Sequence, residues 1–364
     1  MTFQLPSMVS KLPDYYLYVN ECFNVISEGE NMIEEIGPNV FRGNCNLTNL
    51  DLSGCLKLTT IGPLAISGCL ELQNIVFPPN IESMGFSCLS NCTSLVSLNL
   101  CNCSKMKTIP SFYCNEQYSL REIVFPPNIQ TIGTCAFRNC TNLEMMNLSQ
   151  YLQLTKLDNN AFLNAWSLQD FVFPPNIKEI SLCVFQNCTS LTRLDLSNCH
   201  QLTKLGSYSF SGCFSLREII LPPNIDEIET ATFEKCTSLV SIRIPASVKE
   251  IGKNSFLGCS QLEQVIFEGD PLIDGCAFDD CPRLSRKIFS QKRHSGFLYG
   301  KYSELKGILK FEQQQGGTCG IRLEDFLDDS NIVVLPCGHA FFEEEFHEWI
   351  LRRKICPSCR VELK

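Results

Sequence analysis

Nowhere does this sequence contain an apolar run long enough to span a bilayer. Its opening, MTFQLPSMVSKLPDYYLYVNECF, has no continuous apolar core of signal-peptide length. The expectation is a cytoplasmic or nuclear protein without a membrane partner. Positive charge is also scarce: 30 Lys and Arg stand against 39 Asp and Glu, which gives a formal net charge of −9 and a pI near 5.1. An acidic surface repels phosphate backbones and anionic lipids, so nucleic acid is not expected as a partner either. Charged residues amount to only 19% and hydrophobic ones to 44%, the composition of a chain that folds. One stretch opposes the charge balance. From Arg283 to Lys310 there are eight Lys or Arg and a single acidic residue, Glu304, which suits contact with an anion or, more simply, a solvated linker or solenoid cap.

Cysteine, by contrast, is abundant, with 23 residues in a chain of 364. In a reducing compartment these are expected as buried thiols and metal ligands rather than disulfides. Their placement is periodic. FPPNI begins at Phe77, Phe125 and Phe173, LPPNI begins at Leu221, and the step is 48 residues each time; Cys92, Cys140, Cys188 and Cys236 keep the same step. A chain this long is too large for one ordinary core, but a stacked array grows without that limit.

Each 48-residue unit divides into two related halves, SLREIVFPPNIQTIGTCAFRNC (119–140) and TSLTRLDLSNCHQLTKLGSYSFSGC (189–213). In Leu120-x-x-Ile123-x-Phe125 the last two apolar residues alternate as in a strand, with Val124 facing out. Pro126 and Pro127 cannot donate ladder hydrogen bonds, so the strand stops there and the chain turns. Phe137 and Cys140, three apart, suit a short helical turn that closes the coil on its buried face. Roughly ten half-units between Asn20 and Cys281 fit the 20–29-residue leucine-rich class. LVSIRIPASVKEIGKNSFLGC (239–259) resembles the BspA-like leucine-rich repeat almost throughout. That resemblance assigns the repeated Leu, Ile, Phe and Cys to the core. An outward column remains: Asp51, Val76, Asn99, Val124, Asn147, Val172, Asp195 and Ile220. It is read either as a concave surface that binds a protein or as an inert pattern copied by duplication.

After FEQQQGG, a polar and Gly-rich hinge, the pattern changes. TCGIRLEDFLDDSNIVVLPCGHAFFEEEFHEWILRRKICPSC resembles a RING finger, whose eight ligands come in four pairs and hold two zinc ions in a cross-brace. The four pairs fall at Cys319 and Arg322, Cys337 and His339, Phe342 and Glu345, and Cys356 and Cys359. The second and fourth pairs share one zinc in that family, here Cys337, His339, Cys356 and Cys359, a closed Cys₃His set of the kind that holds structural zinc. The first and third pairs offer one thiolate, one carboxylate, a guanidinium and a phenyl ring, a poor set for zinc. One zinc per chain is expected. Arg322 and Glu345 can replace the missing crosslink by an ion pair, with Phe342 filling volume, or can simply be solvated remnants. His347 reads as a surface residue rather than a ligand.

The resemblance further implies a ubiquitin-protein ligase. Ile321, Trp349 and Pro357 match the groove that such ligases offer to the ubiquitin-conjugating enzyme, and Arg360 matches the Arg that holds donor ubiquitin in a reactive pose. Within FEEEFHEWILRR, Phe346, Trp349 and Ile350 fall at helical spacing, with Arg352, Arg353 and Lys354 in the last turn. The predicted fold class is an α/β repeat, a leucine-rich-repeat solenoid with a small C-terminal RING-like α+β zinc domain. The predicted segments are an N-terminal stretch at 1–19, the solenoid at 20–290, a linker at 291–317 and the finger at 318–364. The expected function is that of a RING-type ligase whose solenoid binds a protein substrate. The alternative is a non-catalytic interaction scaffold with a one-zinc knuckle.

Overall fold

The computed structural model describes residues 2–6, 8–12, 24–26, 32–269, 271–274, 276–284, 298–301, 331–335 and 340–353. The described residues between 2 and 284 wind into a parallel β-solenoid of about ten turns. Each turn gives one strand of three or four residues to a first ladder and one of two residues to a second. In the first ladder Ser97–Asn99, Glu122–Val124 and Met145–Asn147 recur at steps of 25 and then 23 residues, the two unequal halves of the 48-residue unit. Pairing is in register, Ser97 beside Glu122 and Met145 beside Asp170, so like positions stack into columns along the axis.

Alternation along each strand sends every second side chain inward. In Arg193–Asp195 only Leu194 is buried, and in Asp170–Val172 only Phe171. The core is a continuous file of Leu, Ile, Phe and Cys from Leu5 to Ala277. Its centre is a run of phenylalanine rings: Phe162 and Phe185 lie 5.6 Å apart at 4°, Phe185 and Phe210 5.4 Å at 3°, and Phe210 and Phe233 5.6 Å at 5°. Register fixes this stacking, since each ring repeats one coil later at the same depth.

The closing segment is not a helical turn. Between Gly133 and Cys140 the chain makes successive tight turns, with Cys135 and Asn139 in the left-handed region at φ 55° and 60°. Backbone N–H groups alternate in their use. Ala136, Arg138 and Cys140 donate three residues back to Gly133, Cys135 and Phe137, while Cys135, Phe137 and Asn139 donate to Asn159, Ala161 and Leu163 in the next coil. This satisfies every second donor locally and the others between coils, which a helix could not do. Two left-handed residues per coil explain the recurrence of Asn and Gly there. Gly212, at φ 74°, would push a Cβ to 2.3 Å from Oδ1 of Asn187.

The cysteine column has its own task. The thiols of Cys140, Cys188 and Cys236 donate to the carbonyls of Cys114, Phe162 and Phe210 in the preceding coil at 3.1, 3.3 and 3.3 Å. Where Gln117 takes the Cys place, its side-chain amide donates to the carbonyl of Leu89 instead. The position is buried, and in most coils it carries a side-chain donor for the preceding coil's carbonyl; Ala165 is an exception. Burial pushes the Cys213 thiol up to about 12 and the Cys103 thiol up to about 11, which keeps both protonated and unreactive at neutral pH. The cysteines among the described residues are free thiols, as expected for a reduced chain.

Two boundaries differ from expectation. Thr2–Gln4 and Lys11–Leu12 pair with Asn24–Ile26 and Glu35–Ile36, so the first coil of the solenoid already includes the N-terminal stretch. Within the expected linker, Leu298–Lys301 forms a strand antiparallel to Asn331–Val334. Among the described residues no helix is long and apolar enough to cross a membrane.

Candidate functional site

Among its described residues the finger is built on a hairpin and one helix. Ile332 pairs with Phe342, Val333 with Phe341 and Val334 with Ala340, so Asn331–Val334 and Ala340–Phe342 run antiparallel. Leu298–Lys301 completes a three-stranded sheet on the other side of Asn331–Val334. The helix Glu343–Arg352 follows without a break. Phe342 stands at its N-cap with extended backbone and no side-chain cap, and Glu343 and Glu344 put carboxylates where the helix dipole favours them. Ile332, Val333, Leu335, Ala340, Phe341 and Phe346 are buried, and the rings of Phe341 and Phe346 stack at 5.5 Å.

His347 departs from expectation. It is 3% exposed, inside the finger rather than on its surface. Phe346, His347 and Ile350 share one side of the helix at the spacing of a turn, and Phe346 is the residue stacked on the hairpin, so the buried face is wider than an apolar count suggests. Trp349 is half-buried, and the guanidinium carbon of Arg353 lies 5.5 Å from its ring centroid. The Arg353 N–H also donates to the carbonyl of Trp349 at 2.9 Å, closing the helix end. Cation and ring thus hold each other where the helix stops.

Phe342 is half-buried at the end of its strand, and the side chain of Glu345 lies outside the described residues. So do Cys319, Ile321, Arg322, Cys337, His339, Cys356, Pro357, Cys359 and Arg360. The described frame nonetheless constrains them: Val334 and Ala340 are register partners, so the segment that carries Cys337 and His339 spans only the five residues between them. One thiol and one imidazole on so short a connection, with two more thiols just beyond the helix, form a nitrogen and sulfur donor set of the right number for tetrahedral zinc. The residues present fit the metal.

Four members of the solenoid's outward column have a structural task. Oδ1 of Asp51, Asn99, Asn147 and Asp195 accepts the backbone N–H two residues on, from Ser53, Cys101, Ser149 and Ser197, at 2.8–3.0 Å. These turns end the strand in the 25-residue coils, the task that the proline pair performs in the 23-residue ones. The four polar members of the column are therefore turn formers; Val76 and Val172 are exposed, and Val124 and Ile220 half-buried. The Asn of PPNI also has a partner that sequence could not supply. Asn80, Asn128, Asn176 and Asn224 donate to the carbonyls of Leu56, Ser104, Leu152 and His200 in the preceding coil at 2.8–2.9 Å.

Comparison with known proteins agrees with both halves. The BspA type leucine rich repeat region is matched in six copies over residues 2–116, 107–203 and 199–295, and the Ring finger domain over residues 317–360. A leucine-rich repeat protein from Bacteroides ovatus has the same fold, with a TM-score of 0.51 at 23% identity over 78% of this chain and 86% of that one. RING finger protein 122 of Homo sapiens is 37% identical over 79 residues, 22% of this chain and 50% of its own length. The probable E3 ubiquitin-protein ligase ATL44 of Arabidopsis thaliana is 46% identical over 50 residues, 14% of this chain and 27% of that protein. The chain thus spans half or less of the length of these curated relatives. With repeats matched over most of its length, the chain belongs to the BspA-type leucine-rich-repeat family and carries a RING-type zinc finger near its C-terminus.

Proposed function

We propose that the protein is a RING-type E3 ubiquitin-protein ligase, in which the solenoid binds a protein substrate and the finger recruits a ubiquitin-conjugating enzyme. The observation that carries this reading is the Ring finger match at 317–360, shared with relatives named as E3 ubiquitin ligases. Cys337, His339, Cys356 and Cys359 would hold a single zinc, which fixes the loops on either side of the helix. Ile321, Trp349 and Pro357 form the docking surface for the conjugating enzyme. Trp349 suits that role, because it is half-buried and steadied by Arg353. Arg360 is a positioning residue for donor ubiquitin. The chain supplies no nucleophile; it acts by holding a charged thioester near a substrate lysine. A reducing cytoplasmic or nuclear setting suits the free thiols of the solenoid.

The test is binding and ubiquitin discharge across a panel of conjugating enzymes, using the whole chain. Trp349→Ala should weaken binding by about 2 kcal/mol or more, as loss of a central aromatic anchor does. Arg360→Ala should leave binding nearly intact and slow discharge. If no conjugating enzyme binds the wild type, or both variants match it, the scaffold reading replaces this one. That alternative draws on Arg322, Phe342 and Glu345 standing at ligand positions of the finger.

A further inference from the structure

The repeat leaves a second stripe on the solenoid surface that the ligase reading does not use. Directly after the cysteine column, from Leu70 to Thr237, comes the residue that leads toward each strand, exposed and half-buried in alternate coils. In every second coil it is large and apolar: Leu70, Tyr118, Trp166 and Phe214, at 48-residue intervals and 42, 46, 52 and 45% exposed. The coils between carry Thr93, Thr141, Thr189 and Thr237 at that place. The hydroxyls of Thr93, Thr189 and Thr237 donate to the carbonyls of Leu70, Trp166 and Phe214 at 3.2–3.4 Å, which stitches each spacer coil to the anchor before it. The backbone is bonded coil to coil at the stripe itself, with Ser94 N–H donating to Leu70 and Ser190 N–H to Trp166, both at 3.1 Å. The anchors therefore stand two strand spacings apart, about 9.4–9.8 Å.

That spacing selects a ligand geometry. A β-strand returns a side chain to one face every about 6.6 Å, out of step with the anchors. An α-helix repeats a face after seven residues, about 10.5 Å, and drifts by two to three ångströms over the four anchors. A polyproline II helix has three residues per turn at about 3.1 Å each, so one face recurs every about 9.3 Å and stays close to register along the stripe. The chemistry agrees. Polyproline II has no internal hydrogen bonds, and its free carbonyls need donors; the stripe offers the Trp166 indole N–H, the Tyr118 hydroxyl and, in the next column, the hydroxyls of Ser119, Ser167 and Ser215. Charge agrees as well. Apart from Glu71 beside the first anchor, that next column holds only Ser, Asn and Gln from Ser94 to Gln261, and the stripe from Leu70 to Phe214 holds no charge, a nearly uncharged band on a chain of net charge −9. An uncharged ligand complements it. We propose that the stripe Leu70, Tyr118, Trp166, Phe214 is a docking track for a proline-rich polypeptide segment in the polyproline II conformation, lying along the solenoid axis.

The inference is independent of ubiquitin transfer, and so is its test. A fluorescein-labelled peptide of four Pro-Pro-Leu triplets is titrated with the full chain and followed by anisotropy. Saturable binding is expected, weakened at least about tenfold by Trp166→Ala and by Tyr118→Ala, as for aromatic anchors. Val172→Ala, on the neighbouring strand column, should leave it unchanged. A peptide with Gly in place of each Pro should bind about tenfold or more weakly, because its flexible chain must be ordered on binding. Both aromatic side chains are half exposed, and circular dichroism confirms that the variants fold. No saturation by about 1 mM wild-type chain, equal affinity for Trp166→Ala, equal affinity for the glycine peptide, or preference for a helical peptide with Leu at every seventh residue would each overturn the proposal.

Discussion

The two regions of this molecule solve the same problem by opposite means. The solenoid spreads its stability over many equivalent contacts: the phenylalanines of the central run stack on both neighbours, the thiols of the cysteine column meet carbonyls of the preceding coil, and each coil is bonded to its neighbours. Such an array behaves as a sum of local units and nearest-neighbour interfaces. Among its described residues the finger has only a hairpin and a ten-residue helix for a core, and on the one-zinc reading it concentrates its stability in the metal. Redundancy makes the first tolerant of single lesions; on that reading the second has one point of failure.

Removing that point should give the largest effect. Zinc analysis of the purified chain should give one ion. Cys356→Ser or a strong chelator should remove it and unfold the finger, because structural zinc in small fingers supplies roughly 10–16 kcal/mol of apparent binding free energy. Loss of the near-ultraviolet signal of Trp349, with the solenoid's far-ultraviolet spectrum unchanged, is the expected readout. Metal content close to two would show that the first and third pairs do bind zinc. Of intermediate size is Phe185→Ala, which opens a gap in the ring stack. It should cost about 3–5 kcal/mol and split or broaden the solenoid's denaturation transition while zinc content stays the same. The smallest is Asn176→Ala, which removes one exposed bond to the Leu152 carbonyl. A loss of about 1 kcal/mol is expected, seen as a lower denaturation midpoint at unchanged slope. A loss as large as that of Phe185→Ala would mean that the coils depend on their staples and not on their core.

The period of the repeat, its inward and outward positions and its buried cysteines were legible because duplication wrote them several times. What resisted reading was contact between coils. The Asn of PPNI repeats plainly, but its partner is a carbonyl 24 residues back, and nothing local names it. The same blindness hid the task of Asn99 and Asp195 in the outward column, where each accepts a backbone N–H two residues ahead. Phe137 and Cys140 suited a helical turn because i and i+3 spacing is common to helices and to tight turns with i to i+3 bonds; two left-handed residues per coil decide between them. The first coil was missed because TFQL and KL are too short to show periodicity. In the finger, the helix and its apolar face were readable, but His347 was not, since a polar residue gives no sign of burial by itself.

The strand Leu298–Lys301 also sets a length scale for whatever the finger does. A linker running over 291–317 would let the finger roam a sphere approaching one hundred ångströms in radius, at about 3.6 Å per residue. Because Leu298 is already paired to Val334, only fourteen peptide steps separate the finger's sheet from Leu284, which packs against the solenoid core. The leash is then at most about 50 Å. Effective concentration rises as tethered volume shrinks, so halving the leash confines the finger to roughly an eighth of the space and, under the proposed ligase function, would restrict which substrate lysines it could meet.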